Sequence, residues 1–356
     1  MKITHFISSP ASGGAEVYVK DLSISMSKLG HEVHILFLSN AADIDRDLDF
    51  ESNFLADLSA ANVGFSFVGN KTRKNFLLGV RKLRLHINSF NPDVLHCHLY
   101  YSLIFSLFAF GTKVIYTHHS IQLRVSSFLY KIFDLRVSSY IGICHACSNM
   151  LSIVSDKRVV QINNAVSGNR IIPKVKPNKN IVPVVLMIGR LTKQKNYKLL
   201  LDIVKLLSDK EFVVKIAGEG PELESLNINV KESGLESKIQ FLGNVNNISE
   251  SLYSADIFAM TSSWEGLPIS LIEATLTGLP TIVTNVGGCA EIAHQCLNGF
   301  VMEGFSAEDF ADKLKLLIES DELRRQLGDN ALRLSQNYKL ESSVFKHICL
   351  YEKVTN

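Results

Sequence analysis

Two glutamates separated by seven residues, Glu265 and Glu273, stand in the densest run of chemistry-bearing residues of this sequence, SSWEGLPISLIEATLTGLPTIVTNVGG at 262–288. Pro268 suits the opening of a helix and Gly278 the residue just past its end. Glu265 then lies just outside a helix N-terminus, and Glu273 about a turn and a half inside it, ~7–8 Å along the axis at ~1.5 Å per residue. Free backbone N–H groups at such an end attract phosphate, whereas a carboxylate beside phosphate is repelled. The pair is therefore suited to accepting hydrogen bonds from hydroxyls on either side of a diphosphate, a sugar on one side and a ribose on the other. The bland alternative is a capping Glu265 and a solvated Glu273.

Cations stand where a diphosphate would need them. Gly189 and Arg190 follow the apolar run 182–188, and Lys195 precedes a helix that starts at Tyr197. Arginine offers bidentate donors to phosphate oxygens and lysine a point charge. A second glycine turn, Gly13-Gly14-Ala15-Glu16, follows the apolar strand 3–7 and lets backbone amides approach a ligand at a helix N-terminus. It lacks G-x-G-x-x-G, so a dinucleotide fingerprint is not met. Histidines end two further strands, His96 and His98 in PDVLHCH and His118 and His119 in VIYTHH. That is the carboxyl end, where open α/β sheets bind ligands. Four imidazoles would also suit zinc if their rings converge. Asp43, Asp45, Asp47 and Asp49 alternate in the D-x-D spacing of a metal-ligand set, or form a solvated loop. Cys144 and Cys147 form one C-x-x-C with no second pair, which reads as buried strand-end thiols.

Positioning these groups requires alternating strands and helices. Strands are expected at 3–7, 32–38, 65–68, 182–188, 212–217, 239–242 and 281–284, with helices at 15–29, 75–90, 123–137, 307–318 and 322–336. Two βαβ series joined by the proline-containing stretch 172–180 predict two domains.

In chain order, GGAE, HCH, THH, GR-x₄-K and E-x₇-E closely resemble the motifs of the retaining glycosyltransferases of family 4, and the likeness runs over nearly the whole chain. It implies the GT-B fold, an α/β architecture of two Rossmann-like, doubly wound parallel-sheet domains facing a central cleft. An acceptor-binding domain at 1–170 and a nucleotide-sugar domain at 171–335 would be followed by a helix at 336–356 returning to the first. Catalytic roles fall by resemblance on His119, Glu265, Arg190 and Lys195, with His118 the alternative to His119. Donor binding falls on Gly14, Arg190, Lys195, Val245, Glu265, Gly266, Leu267 and Glu273, and the acceptor side of the cleft on His98 and Glu16. Ala165 departs from the pattern, since relatives usually have glycine after that asparagine. The resemblance implies sugar transfer from a nucleotide-diphosphate donor, UDP first, to a saccharide or lipid-linked saccharide in bacterial polysaccharide or lipopolysaccharide assembly. Retention, front-face attack and no metal or other cofactor go with it. A sugar-nucleotide epimerase of the same fold and a catalytically silent nucleotide-sugar-binding partner remain alternatives.

The chain of 356 residues is 46% hydrophobic and 20% charged, with a net charge of +2, an ordinary globular balance. No global field argues for nucleic acid. The N-terminus does not read as a secretory signal, and the most apolar window, 99–110, falls short of the ~20 residues a membrane span requires. A cytoplasmic protein with reduced cysteines is the expectation. Lys71, Arg73, Lys74, Arg81, Lys82 and Arg84 around the helix at 75–90, with Arg124, Lys131 and Arg136 in the segment 123–137, form basic amphipathic segments able to touch an anionic membrane face.

Overall fold

The computed structural model describes residues 1–44, 47–73, 75–123, 125–174, 182–245 and 247–356, without the side chains of Asn70 and Arg73. Asp45, Lys74 and Arg124, and the expected linker from residue 175 onward, lie outside the described residues. The chain divides into two units, Met1–Ala165 with Leu340–Asn356, and Val166–Lys339. The divisions at 165/166 and 339/340 replace those expected at 170/171 and 335/336.

The first unit is built on a seven-stranded sheet. Its strands are β1 (Lys2–Ile7), β2 (Glu32–Phe37), β3 (Gly64–Phe67), β4 (Val94–Cys97), β5 (Lys113–His118), β6 (Val137–Gly142) and β7 (Val159–Gln161), in the order β3-β2-β1-β4-β5-β6-β7. Every pairing is parallel. The apolar runs that read as strands suit such a sheet because both of its faces are covered by helices. The strand order reverses between β1 and β4, the kind of switch point outside which α/β sheets bind ligands. The final helix, Leu340–Thr355, is part of this unit. Its buried side buttresses the sheet: Ser343 Oγ lies 2.6 Å from the Tyr18 hydroxyl and donates to the Asn163 carbonyl at 3.2 Å, while the Tyr351 hydroxyl lies 2.5 Å from His96 Nδ1.

The second unit repeats the plan with β8 (Val184–Ile188), β9 (Val213–Ala217), β10 (Ile239–Gly243), β11 (Ile257–Met260), β12 (Thr281–Thr284) and β13 (Gly299–Met302). The order is β10-β9-β8-β11-β12-β13, with the reversal between β8 and β11. One apolar core joins Val185, Met187, Val214, Ile216 and Ile257 of the sheet to Leu200, Ile203, Phe310 and Leu314 of its covering helices.

Three local expectations change. The acidic run is not simply a loop: Asp47 caps a helix at Leu48–Ala60, its carboxylate accepting from the backbone N–H of Asp49 at 2.9 Å and Phe50 at 3.0 Å, the ordinary way to satisfy orphan helix donors. The helix expected at 123–137 is only Ser127–Phe133, because Val137 already begins β6. Strand β13 was hidden by its first residue, since glycine reads as a breaker. A Cβ on Gly299 would lie 1.8 Å from the Thr281 carbonyl oxygen, so the close approach of β12 requires that glycine.

Candidate active site

In the second unit the turns after β8, β11 and β12 are laced together. Lys195 folds back over Gly189, where a Cβ would meet its Cε at 2.5 Å. Its ammonium donates to Glu265 Oε1 at 2.7 Å, and only 12% and 8% of the two side chains is exposed. Gln194 holds the strand of loop beside them, its carbonyl accepting from Ser263 N at 2.8 Å and its amide donating to the Trp264 carbonyl at 2.9 Å. Thr261 Oγ1 donates to the Lys195 carbonyl at 3.0 Å. From the other side, Gly288 N donates to the Gly266 carbonyl at 2.7 Å, and Gly287 adopts φ +55°. A Cβ on Gly287 would lie 2.0 Å from the Glu265 carbonyl oxygen. Two constraints thus select glycine there, the left-handed backbone and the close approach.

The helix Ile269–Thr277 starts after Pro268, which occupies the capping position, and stops at Gly278 with φ +91°. Glu273 is buried and accepts from Arg170 Nη2 at 2.9 Å. It is therefore not a solvated helical charge: a carboxylate buried this far needs a partner, and the guanidinium supplies one. Arg170 carries no local signal of this role, since it lies 103 residues from Glu273 in the chain. Arg190 is exposed at the end of β8, Leu267 is buried and Val245 half-buried beyond β10.

In the first unit, Gly13 precedes the helix Gly14–Lys28 and leaves space for a side chain of that helix's first turn. A Cβ there would meet Glu16 Oε2 at 2.1 Å, and Glu16 Oε1 accepts from Ser8 Oγ at 2.6 Å. The acidic side chain sits in the first helical turn, where the helix dipole favours it.

In β1 and β4, and just past the carboxyl ends of β4 and β5, the imidazoles converge. His5 Nδ1 lies 3.0 Å from His98 Nε2, and His98 Nδ1 lies 3.2 Å from His119 Nε2. His96 sits beside them, its ring centroid 4.0 Å from that of His98, with Nδ1 on the Tyr351 hydroxyl and Nε2 on Thr117 Oγ1 at 2.7 Å. His347, from the final helix, donates through Nδ1 to the Ser343 carbonyl at 2.8 Å. Burial lowers His5 and His119 to about 3, His347 to about 4, and His96 and His98 well below the usual imidazole range. All five rings are neutral at pH 7.

His118 and His119 separate here. His118 closes β5, buried, with Nδ1 at 2.9 Å from the Tyr116 hydroxyl and Nε2 at 3.3 Å from the Gln122 carbonyl. His119 is half-buried on His98, and its Nδ1 has no hydrogen-bond partner among the described residues. His118 thus stands apart from the set His96, His98, His118 and His119 considered for zinc. The one group among the described residues with metal-ligand spacing is His5, His96 and His98, whose ligand atoms lie within 4.8 Å of one another. Cys144 and Cys147 are buried thiols, 3.4 Å apart, at the start of the helix His145–Val154. The hydrogen bond from Cys144 and burial together raise Cys147, leaving it a poor nucleophile.

Residues 12–169 match the family described as Glycosyltransferase Family 4, and residues 169–334 the family described as Glycosyl transferases group 1. The chain belongs to the family 4 glycosyltransferases. The chain is 31% identical over 188 residues to an uncharacterized glycosyltransferase of Haemophilus influenzae, covering 51% of this chain and 53% of that protein. It is 38% identical over 155 residues to the amylovoran biosynthesis glycosyltransferase AmsD of Erwinia amylovora, covering 43% and 44%. The N,N'-diacetylbacillosaminyl-diphospho-undecaprenol alpha-1,3-N-acetylgalactosaminyltransferase of Campylobacter jejuni is 30% identical over 172 residues, covering 48% and 45%. The matched stretch spans about half the length of these relatives. Among solved structures, Anabaena Alr3699/HepE in complex with UDP-glucose superposes with a TM-score of 0.82 at 18% identity, covering 99% of this chain and 100% of that one. The lipopolysaccharide outer core galactosyltransferase WaaB gives 0.76 at 18%, covering 99% and 100%. At such identities the likeness concerns the fold, and the fold is GT-B. For a family 4 glycosyltransferase, the acidic pair and the cations fall on the unit built around β8 to β13, and the imidazoles on the other.

Proposed function

We propose that this family 4 glycosyltransferase moves a sugar, with retention and without a metal ion, from a UDP-sugar to a lipid-linked saccharide during bacterial polysaccharide or lipopolysaccharide assembly. The observation that carries the reading is the ion pair of Lys195 and Glu265 at 2.7 Å, fixed at the reversal between β8 and β11. A donor diphosphate draws Lys195 and Arg190, releasing Glu265 to accept from sugar hydroxyls. Glu273 accepts from the ribose while Arg170 keeps its charge compensated. Preorganised cations of this kind stabilise the charge that develops on a leaving diphosphate. His119 and the amides at Gly14 are the first unit's share, with His98 and Glu16 on the acceptor side. In this reading Glu265 and Glu273 are both taken up by donor hydroxyls, which leaves no facing carboxyl pair for a double displacement. Front-face attack, in which the leaving phosphate takes the acceptor's proton, therefore fits retention better.

The Campylobacter relative's name specifies a diphospho-undecaprenol substrate and HepE was solved with UDP-glucose, which supports UDP and a lipid-linked acceptor. No helix among the described residues is long and apolar enough to cross a membrane. The first unit exposes Leu77, Phe110, Phe128 and Leu135 beside Arg81, Arg84 and Lys131, a combination suited to peripheral contact with anionic lipid. A thermal-shift panel of UDP-glucose, GDP-mannose and ADP-glucose tests the donor. Saturation at 100 times Kd is worth about 2.7 kcal/mol, so the UDP-sugar raises Tm, and no shift with any of the three sinks the reading. Flotation with anionic vesicles tests the surface, and failure to float counts against it.

A further inference from the structure

The chain His5–His98–His119 has three members but only two internal contacts, at 3.0 Å and 3.2 Å, and each contact needs one proton between two nitrogens. A neutral imidazole carries one N–H and one lone pair, so the choice of tautomer at one ring dictates the next. Only two hydrogen-bonded arrangements exist. Either all three rings carry the proton on Nδ1, or all three carry it on Nε2. The two ends differ. His5 is fully buried in β1, whereas His119 is half-buried just beyond the end of β5; the end atoms, His5 Nε2 and His119 Nδ1, are both shielded from solvent and have no partner among the described residues. An orphaned donor in a dry interior is rarer and costlier than an orphaned acceptor. Only the ring of the half-buried His119 can gain an acceptor from a bound ligand, so the lone pair belongs at the His5 end and the N–H at the His119 end.

We infer that His5, His98 and His119 form a hydrogen-bonded relay polarised from its buried end, which makes His119 present an Nδ1–H donor to a hydroxyl or phosphate oxygen of the substrate. His5 and His98 are positioning residues in this scheme. His5 Nδ1–H donates to His98 Nε2, and His98 Nδ1–H donates to His119 Nε2. The Nδ1–H form is the minor tautomer of free histidine in water, so three in succession are a signature of the environment. His96 stands outside the relay because both its nitrogens are already engaged by Tyr351 and Thr117. Those bonds would have to break before a cation could use His5, His96 and His98 together. The substrate side of the inference rests on the functional reading above, but the tautomers do not.

The test is ¹⁵N NMR of the full chain labelled at histidine, without ligand, each resonance assigned by single substitution. Nδ1 is protonated in His5, His98 and His119 if the relay exists, and an Nε2–H form at His98 or His119 overturns it. Stoichiometric zinc on these rings overturns it as well. Two variants separate positioning from packing. In His5→Asn the side-chain amide can still donate from the place of Nδ1, and His119 keeps its tautomer. In His5→Leu the donor is gone, and His119 shifts toward Nε2–H. Equal spectra in the two variants sink the relay. With UDP-glucose, His5→Leu lowers kcat for UDP release about tenfold with KM within threefold of the parent, and His5→Asn recovers most of it. If neither parent nor variant turns over, the functional reading fails while the spectra still decide the relay.

Discussion

The two units share a parallel, doubly wound sheet with a reversal of strand order, yet they handle polar side chains at that place in opposite ways. The first collects histidines and strips them of charge: His5, His96, His98 and His347 are fully buried and their protonated forms are disfavoured mainly by desolvation. The second keeps its charges by pairing them, Lys195 with Glu265 and Arg170 with Glu273. One fold thus carries a neutral hydrogen-bonding site and an ionic one. Histidine can lose its charge near pH 7 at small cost, whereas lysine, arginine and glutamate cannot and must be compensated.

Acid should separate the two units most strongly. His5 falls to about 3 and His347 to about 4 in the folded chain, against about 6.5 unfolded. Below pH 6.5 the unfolded chain binds protons that these rings refuse. Their contribution is therefore present above pH 6.5 and lost as pH falls toward 4, at about 1.4 kcal/mol per pH unit for each ring. The sole tryptophan, Trp264, belongs to the second unit, so its fluorescence follows that unit alone. Far-UV circular dichroism is expected to begin falling between pH 6 and 4 while Trp264 emission stays native. Coincident transitions would erase the contrast between the units.

Next in size is the ionic site itself. With Lys195 in its proposed place beside the leaving diphosphate, Lys195→Ala is expected to lower turnover about hundredfold, the scale of losing one preorganised donor. Because it also leaves Glu265 uncompensated, Lys195→Ala/Glu265→Gln should melt higher than Lys195→Ala alone. A double-mutant cycle on Tm with no coupling would show that the pair is not structural in the unliganded chain.

Arg170→Ala is expected to weaken UDP-glucose binding about tenfold, ~1.4 kcal/mol, by taking from the buried Glu273 the guanidinium that lies 2.9 Å away. Isothermal titration of UDP-glucose into the parent and Arg170→Ala would read the loss, and equal affinities would discard the role. Arg170 also marks where sequence reading stopped. Glu265 and Glu273 were legible because one short loop-and-helix stretch carries both, and Lys195 because it follows a glycine turn. Arg170 meets Glu273 only through tertiary structure. His5 reads as one polar residue in an apolar strand, and His347 as one more helical position. Their meeting with His98 and His96 depends on the parallel register of β1 with β4 and on the docking of the last helix. The strands were legible from apolar runs, but the helix Leu48–Ala60 was masked by the acids that begin it.

The smallest expected effect is none at all. EDTA should leave UDP-glucose turnover unchanged if, as proposed, Arg190 and Lys195 meet the charge on the leaving diphosphate. The acidic run offers little competition for a divalent ion: Asp47 already accepts two backbone hydrogen bonds as a helix cap, and Asp49 lies inside that helix. A metal there would have to displace the cap, at about 0.5–2 kcal/mol. Turnover abolished by EDTA and restored by magnesium would reverse the assignment. It would also remove the contrast between a site that fixes its own cations and one that has dispensed with charge.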